Sequence, residues 1–119
     1  MADLMGKRFE NPDEVREFTN GRIDMVDLNG HAVGRATFEP GWRWSNDVGP
    51  IAGTDSCQVE HIGYVLEGRM GLKMDDGTEQ EFGPGDAFHM PRGHDAWIIG
   101  DEACLLLDFG GLQGYAQAS

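Results

Sequence analysis

Apolar and polar residues alternate along much of the chain, in short runs that end at turns containing glycine. In residues 69–74, for example, every second residue is apolar, which is the period of a strand with one buried face. The dipeptides Asn29-Gly30 and Asp76-Gly77 lie between such runs and are typical of tight hairpin turns. The pattern therefore predicts an antiparallel β structure built from hairpins.

Extended over the whole chain, the pattern predicts about nine or ten strands, with no linker and no repeat. Evenly spaced strands in one domain indicate a sandwich or a barrel. Residues 11–18 are the exception, because Asn11 and Pro12 are typical of the start of a helical turn. Residues 45–55 form the longest irregular stretch, either a loop over a pocket mouth or a surface connection. The clearest predicted strands are 22–28, 31–38, 57–66, 69–74, 78–82, 86–90, 95–99 and 103–109.

Size and charge narrow the class of protein. The 119 residues suit a single domain, 1–119, and the net charge of −12 disfavours nucleic acid and anionic membrane surfaces as partners. No apolar run approaches the roughly 20 residues that span a bilayer, and the first residues lack a signal-peptide core, so we expect a cytoplasmic protein. The two cysteines, Cys57 and Cys104, are then expected to be thiols.

Two groups of residues match known motif spacings. Gly85 is followed after five residues by Pro91-Arg-Gly93, and Gly53 and Gly68 enclose a second block that ends in Tyr64-Val-Leu-Glu-Gly68. These blocks resemble the paired motifs of the cupins, small β-barrels that often hold one metal ion. The resemblance covers roughly residues 35–110. It implies an all-β fold, the cupin double-stranded β-helix or jelly-roll barrel, and a homodimer.

The ligand positions of the cupin motifs are occupied by other residues here. Counting back from Gly68, Asp55 and Cys57 take the places of the two histidines of the first motif, and His61 takes the place of its glutamate. The histidine of the second motif corresponds to Ala96 when counted forward from Gly93, or to His94 when counted back from the turn at Gly100. We prefer His94, because hairpin register constrains a strand more firmly than loop length does.

Cys57, His61 and His94 are therefore the predicted metal ligands. Cys57 and His61 lie four residues apart on one strand face, about 13 Å at roughly 3.3 Å per residue, so a shared ion requires a bend. Thiolate and imidazole suit zinc, iron or copper, and the cupin resemblance adds manganese. The alternative for each residue is structural: a small core thiol, a hydrogen-bonded barrel histidine and a turn-capping histidine.

Four aromatic residues are candidates to line a pocket for a small, partly apolar ligand: Trp42, Trp44, Tyr64 and Trp97. Their alternative role is barrel core or dimer contact. The expected function is binding of a small molecule in the barrel, as a metal-dependent enzyme of unassigned reaction. The alternatives are a non-catalytic ligand-binding or sensing module without metal, and a metal-free dimerisation scaffold. No nucleophilic triad and no phosphate-binding loop is visible in the sequence.

Overall fold

A computed structural model describes residues 3–112 of the chain. This part folds into nine strands and two helices of one turn each. In chain order they are β1 (Glu14–Phe18), β2 (Gly21–Leu28), β3 (His31–Phe38), α1 (Trp44–Asp47), α2 (Gly49–Ala52), β4 (His61–Glu67), β5 (Arg69–Met74), β6 (Glu79–Phe82), β7 (Ala87–Met90), β8 (His94–Ile99) and β9 (Cys104–Asp108).

The strands form two antiparallel sheets. The large sheet has six strands in the order β1-β2-β3-β9-β4-β7, and the small sheet has three in the order β6-β5-β8. The β2–β3 hairpin turns at Asn29 and Gly30, whose φ angles of 54° and 87° are those that a type I′ turn requires. The predicted all-β jelly-roll class is confirmed.

The core lies between the two sheets, where several strands bury every second side chain on the same side. The strand β9 shows the pattern most simply: Cys104, Leu106 and Asp108 are buried, while Leu105 and Leu107 are partly exposed. Strand β8 repeats it from the opposite sheet, with His94, Ala96 and Ile98 pointing inward. Polar residues on an inward-facing position are therefore carried into the barrel interior.

Two predicted elements are wrong in type. Residues 14–18 form the edge strand β1, not a helical turn, because they pair along their whole length with β2, from Glu14 opposite Met25 to Phe18 opposite Gly21. Tertiary pairing overrides the local helix-start signal at Asn11 and Pro12. The stretch 45–55, predicted to be irregular, contains most of α1 and all of α2, and α2 ends at Gly53 in the left-handed conformation.

The long strand predicted from Cys57 to Leu66 is shorter in the structure. Strand β4 begins at His61, and residues 58–60 lie outside any strand. Cys57 instead forms an isolated β-bridge with His94 at the start of β8. Within the described range, 3–112, we find no helix whose length and apolar character would let it cross a membrane.

Candidate metal centre

Cys57 is held beside the first residue of β8 by its backbone. Its N–H donates to the carbonyl of His94 at 2.7 Å, and its own carbonyl accepts the N–H of Gly93 at 2.7 Å. Gly93 has a φ of +88°, which lets the chain turn sharply into β8. This arrangement brings the Cys57 and His94 side chains to the same place, although 37 residues separate them in sequence.

The three predicted ligands form one buried cluster. One donor atom from each of Cys57, His61 and His94 lies within 4.8 Å of the other two, and the Cys57 Sγ is 3.7 Å from the His61 Nε2. The bend at residues 58–60 removes the separation of about 13 Å that a straight strand would impose. His61 comes from the large sheet and His94 from the small sheet, so the cluster stands where the two sheets face each other.

His61 is oriented by a buried carboxylate. Its Nδ1 lies 2.5 Å from the Asp108 Oδ2, and Asp108 is only 1% exposed. The other oxygen of Asp108 accepts the N–H of Gly111 at 2.9 Å. A carboxylate at this distance keeps the proton on Nδ1, so the Nε2 lone pair of neutral His61 faces the cluster.

His94 is oriented by a backbone carbonyl. Its Nδ1 lies 2.6 Å from the carbonyl oxygen of Pro91. A carbonyl can only accept, so Nδ1 must carry the proton and Nε2 is left as the donor atom for an ion. Both histidines therefore have the tautomer that a metal ligand needs.

Proton affinities in the cluster are strongly perturbed. Burial raises the pKa of the Cys57 thiol, but hydrogen bonds with His61 and His94 and the charge of these rings outweigh it and lower the pKa to about 6. Burial lowers the pKa of His61, but its hydrogen bonds with Asp108 and Cys57 outweigh that effect and raise the pKa to about 9. At neutral pH the cluster therefore favours a Cys57 thiolate, the form of cysteine that binds metals, beside a His61 that is protonated on both nitrogens. An ion that binds the His61 Nε2 displaces the proton on that nitrogen.

A cavity opens next to the cluster, inside the barrel. The unoccupied space among its lining atoms, including the solvent-open space at its mouth, is about 340 Å³. Its polar wall is formed by His61, His94 and Asp108. The rest of the wall is apolar or aromatic: Phe38, Trp42, Trp44, Met70, Phe88, Met90, Ala96, Leu106 and Leu112.

The four aromatic residues predicted to line the pocket separate into two pairs. Trp42 and Trp44 line the cavity and are each 2% exposed. Tyr64 is 40% exposed on the outer face of β4, and Trp97 lies on the outer face of β8 beneath the guanidinium of Arg43, 4.7 Å from its ring centroid. Tyr64 and Trp97 do not line the cavity, because each is one residue out of phase with its strand's inward positions.

The structure also shows where the other residues at cupin ligand positions lie. Asp55, which occupies the first ligand position of the cupin motif, is exposed and lies outside the cluster. Ala96, the alternative to His94, points into the cavity two residues further along β8. Asp108 was not predicted from the sequence, although an acid following Cys104 and Leu106 at strand spacing would have indicated an inward-facing carboxylate.

Comparison with known proteins places these features in a family. A profile of the family described as Cupin domain matches residues 49–110, just over half of the chain. A search of curated proteins finds no match.

Solved structures share the fold at low sequence identity. The polyketide cyclase RemF from Streptomyces resistomycificus has 23% identity and a TM-score of 0.62, over 90% of this chain and 78% of that one. KdgF from Halomonas sp. has 17% identity and a TM-score of 0.56, over 82% of this chain and 87% of that one. A single-substitution variant of the oxalate decarboxylase of B. subtilis has 17% identity and a TM-score of 0.61, over 87% of this chain but only 28% of that one.

At these identities the solved structures show the fold alone, whereas the profile match covers the residues Cys57, His61 and His94. The resemblance drawn from the motif spacings is confirmed, and the chain belongs to the cupin family.

Proposed function

We propose that this cupin binds one divalent transition metal through Cys57, His61 and His94 and acts on a small molecule held in the adjoining cavity. The observation that carries the proposal is the convergence of three buried donor atoms within 4.8 Å of one another, two of them from His61 and His94, which line the cavity. Buried polar side chains that converge in an apolar pocket are the usual mark of a binding site.

The donor set favours particular ions. One thiolate and two imidazoles suit zinc, iron or copper, whereas magnesium and calcium prefer oxygen ligands and manganese is intermediate. Three protein ligands leave a coordination position open, as in catalytic rather than structural zinc sites. A divalent ion in this position would supply Lewis-acid chemistry to an oxygen of the small molecule.

The chain's own residues prepare the site for this ion. Asp108 holds the Nδ1 proton of His61, and the Pro91 carbonyl accepts the Nδ1 proton of His94, so both Nε2 atoms are preset as donors. The apolar wall excludes water from the small molecule and strengthens every electrostatic interaction made inside the barrel.

A second candidate function is a non-catalytic ligand-binding or sensing module. It is favoured by the departure from the cupin ligand pattern, in which Cys57 replaces a histidine and His61 replaces the glutamate. Among the solved structures of the same fold, one is described as a cyclase and another as a decarboxylase. We therefore propose an enzyme first, and turnover of a bound compound separates it from a binding module.

Metal content of untagged protein, purified without chelator and measured by elemental mass spectrometry, tests the proposal. We expect close to one zinc, iron, copper or manganese ion per chain. Replacement of Cys57, His61 or His94 by alanine should in each case lower the affinity for the metal ion by about 100-fold or more, because the site has only three protein ligands.

Matched controls come from the same chain. Cys104→Ala removes a buried thiol outside the cluster, and His89→Ala removes an exposed histidine paired with Glu60. Both should keep full occupancy. No metal after incubation with zinc, iron and copper salts would refute the metal site, and unchanged occupancy in any one ligand variant would remove that residue from the set.

We also propose that the protein is a homodimer and works in a reducing compartment such as the cytoplasm. The proposed compartment is supported by the two cysteines, which are both free and buried. Its acidic surface, with a net charge of −12, supports neither nucleic acid nor an anionic membrane as a partner.

A further inference from the structure

Two hydrogen-bond donors in the cavity wall have no acceptor in the described part of the protein. The Nε1 atoms of Trp42 and Trp44 are buried and lack a partner, and within residues 3–112 no other buried side-chain nitrogen or oxygen is in this position. Indole N–H is a donor only, and a molecule in the cavity that both tryptophans line could supply the acceptor that the described residues do not. A water here would meet mainly apolar neighbours, which makes it easy to displace.

The surrounding structure holds the segment that carries both indoles. The segment of residues 42–45 runs antiparallel to β8, with a β-bridge between Arg43 and Trp97. The carbonyl of Trp42 accepts the Ile98 N–H at 3.1 Å, and the Ser45 N–H donates to the Asp95 carboxylate at 3.0 Å. The Trp42 ring packs against the tilted ring of Phe38, with 4.2 Å between the ring centroids. The backbone that carries both tryptophans is therefore held in place, and the Trp42 ring is also held by its contact with Phe38.

The register also places the indoles along a line that leads away from the metal centre. Trp44 lies level with Ala96 and Trp42 level with Ile98, two and four residues beyond His94 on β8. At roughly 3.3 Å per residue, these levels are about 7 and 13 Å from His94 along the strand. A molecule that contacts the ion and extends along β8 would therefore come first to the level of Trp44 and then to that of Trp42.

The rest of the wall decides which acceptor suits these donors. Among the described residues, no lysine or arginine lines the cavity, so a carboxylate or phosphate would be drawn to the proposed ion and would lack a counter-charge at the indoles. A hydroxyl would bring its own donor, yet the carboxylate of Asp108 is already bound to His61 and Gly111. A carbonyl oxygen accepts without donating and carries no charge.

We infer that the ligand of this cavity is a small neutral carbonyl compound with an apolar body, whose carbonyl oxygen accepts hydrogen bonds from the indole N–H of Trp42 or Trp44. The inference rests on the proposed function, because it names the substrate class of the same site. It assigns the two tryptophans to substrate recognition, in addition to their place in the core.

Three probes of similar shape test the inference: 1-indanone, indane and indane-1-carboxylate. The readout is the indole ¹H–¹⁵N signals of metal-loaded, ¹⁵N-labelled protein, assigned by tryptophan-to-phenylalanine variants. We expect 1-indanone to move the Trp42 or Trp44 signal downfield, as hydrogen bonding does, and to leave Trp97 unchanged. Indane should produce no downfield shift, and the carboxylate, whose charge the ion would balance, should bind at the ion and leave both cavity indole signals in place.

The affinities of 1-indanone and indane are then measured for the tryptophan variants. Removal of one neutral hydrogen bond should weaken 1-indanone binding by about fivefold in Trp42→Phe or Trp44→Phe, while indane binding changes little. Trp97→Phe is the matched control and should leave both affinities unchanged. Equal indole responses to ketone and hydrocarbon, a downfield indole shift with the carboxylate, or no shift with any probe would overturn the inference.

Metal occupancy of each sample is measured separately by elemental mass spectrometry. An indole response in protein that takes up no metal would refute the proposed metal site and leave the carbonyl preference standing. Full metal occupancy without an indole response would support the metal site and overturn the carbonyl inference.

Discussion

At the scale of single residues, Gly111 gives the site its tightest constraint. A Cβ on Gly111 would lie 2.5 Å from the Glu60 carbonyl and 2.8 Å from both the Asp108 Oδ1 and the His61 Nδ1. Gly111→Ala should therefore disturb the pair that orients His61 and lower metal affinity by about tenfold or more. Elemental analysis and thermal unfolding measure the effect. Gly6→Ala, where no atom lies within 4 Å, is the control, and equal behaviour of the two variants would contradict the prediction.

Cys104 makes stability depend on pH. Burial raises the pKa of its thiol to about 11, whereas an unfolded cysteine titrates near about 8.5. The folded protein thus retains a proton that the unfolded chain releases. This contribution is complete below about pH 8.5 and is lost as the pH rises towards 11. The free energy of unfolding, measured with urea across this range, should fall more steeply in the wild type than in Cys104→Ala. Parallel curves would refute the prediction.

Strand alternation also explains how much of the site could be predicted from the sequence. Alternation predicts Cys57 and His61 on one strand face. The same rule indicates an inward-facing Asp108 and places Tyr64 and Trp97 on outer faces, away from the cavity. It could not supply the bend at residues 58–60 or the bridge from Cys57 to His94, because both depend on pairing between segments far apart in the chain.

At the scale of elements, Asp95 on β8 holds the segment that carries the cavity tryptophans. It accepts hydrogen bonds from the Arg43 guanidinium, the Ser45 N–H and the Ser45 hydroxyl at 2.9–3.1 Å. Asp95→Ala should leave α1 loosely attached and cost about 1–3 kcal/mol of stability.

The near-ultraviolet circular dichroism of the tryptophans should weaken in this variant, and the unfolding midpoint should fall. Asp101→Ala, at an exposed position in the turn after β8, is the matched control. An unchanged tryptophan spectrum in Asp95→Ala would show that α1 does not depend on this carboxylate.

The sequence predicted most strands because hairpin turns and alternation are local signals. The strand β3 begins and ends as expected, at His31 and Phe38. Residues 14–18 were predicted wrongly because an edge strand owes its form to its neighbour, here β2. The helices α1 and α2 have four residues each, too few for an apolar period to be recognised.

At the scale of the whole molecule, the large sheet presents an exposed apolar outer face. Ile62, Tyr64 and Leu66 on β4 are 39–54% exposed, and Phe109, just after β9, is 55% exposed. Large apolar patches commonly mark protein interfaces, and two copies of one sheet face can pack against each other about a two-fold axis. The predicted homodimer should use this face.

Ile62→Asp should therefore convert a dimer into a monomer, since it places a charge inside the interface. Light scattering coupled to size-exclusion chromatography measures the mass. Val15→Asp changes a similarly exposed residue on the edge strand β1 and should keep the dimer. A monomeric wild type, or a dimer that survives Ile62→Asp, would contradict the prediction.

The position of the cluster between the two sheets has a mechanical consequence. An ion bound by His61 of β4 and His94 of β8 cross-links the barrel halves at a point where the chain itself contributes only a short bridge through Cys57. Binding to the folded state alone adds RT ln(1 + [M]/Kd) to its stability. The ion would then hold the two sheets together. Amide hydrogens of β8 should exchange slowly while the ion is bound, and removal of the ion by a chelator should let the small sheet separate before the rest of the barrel unfolds.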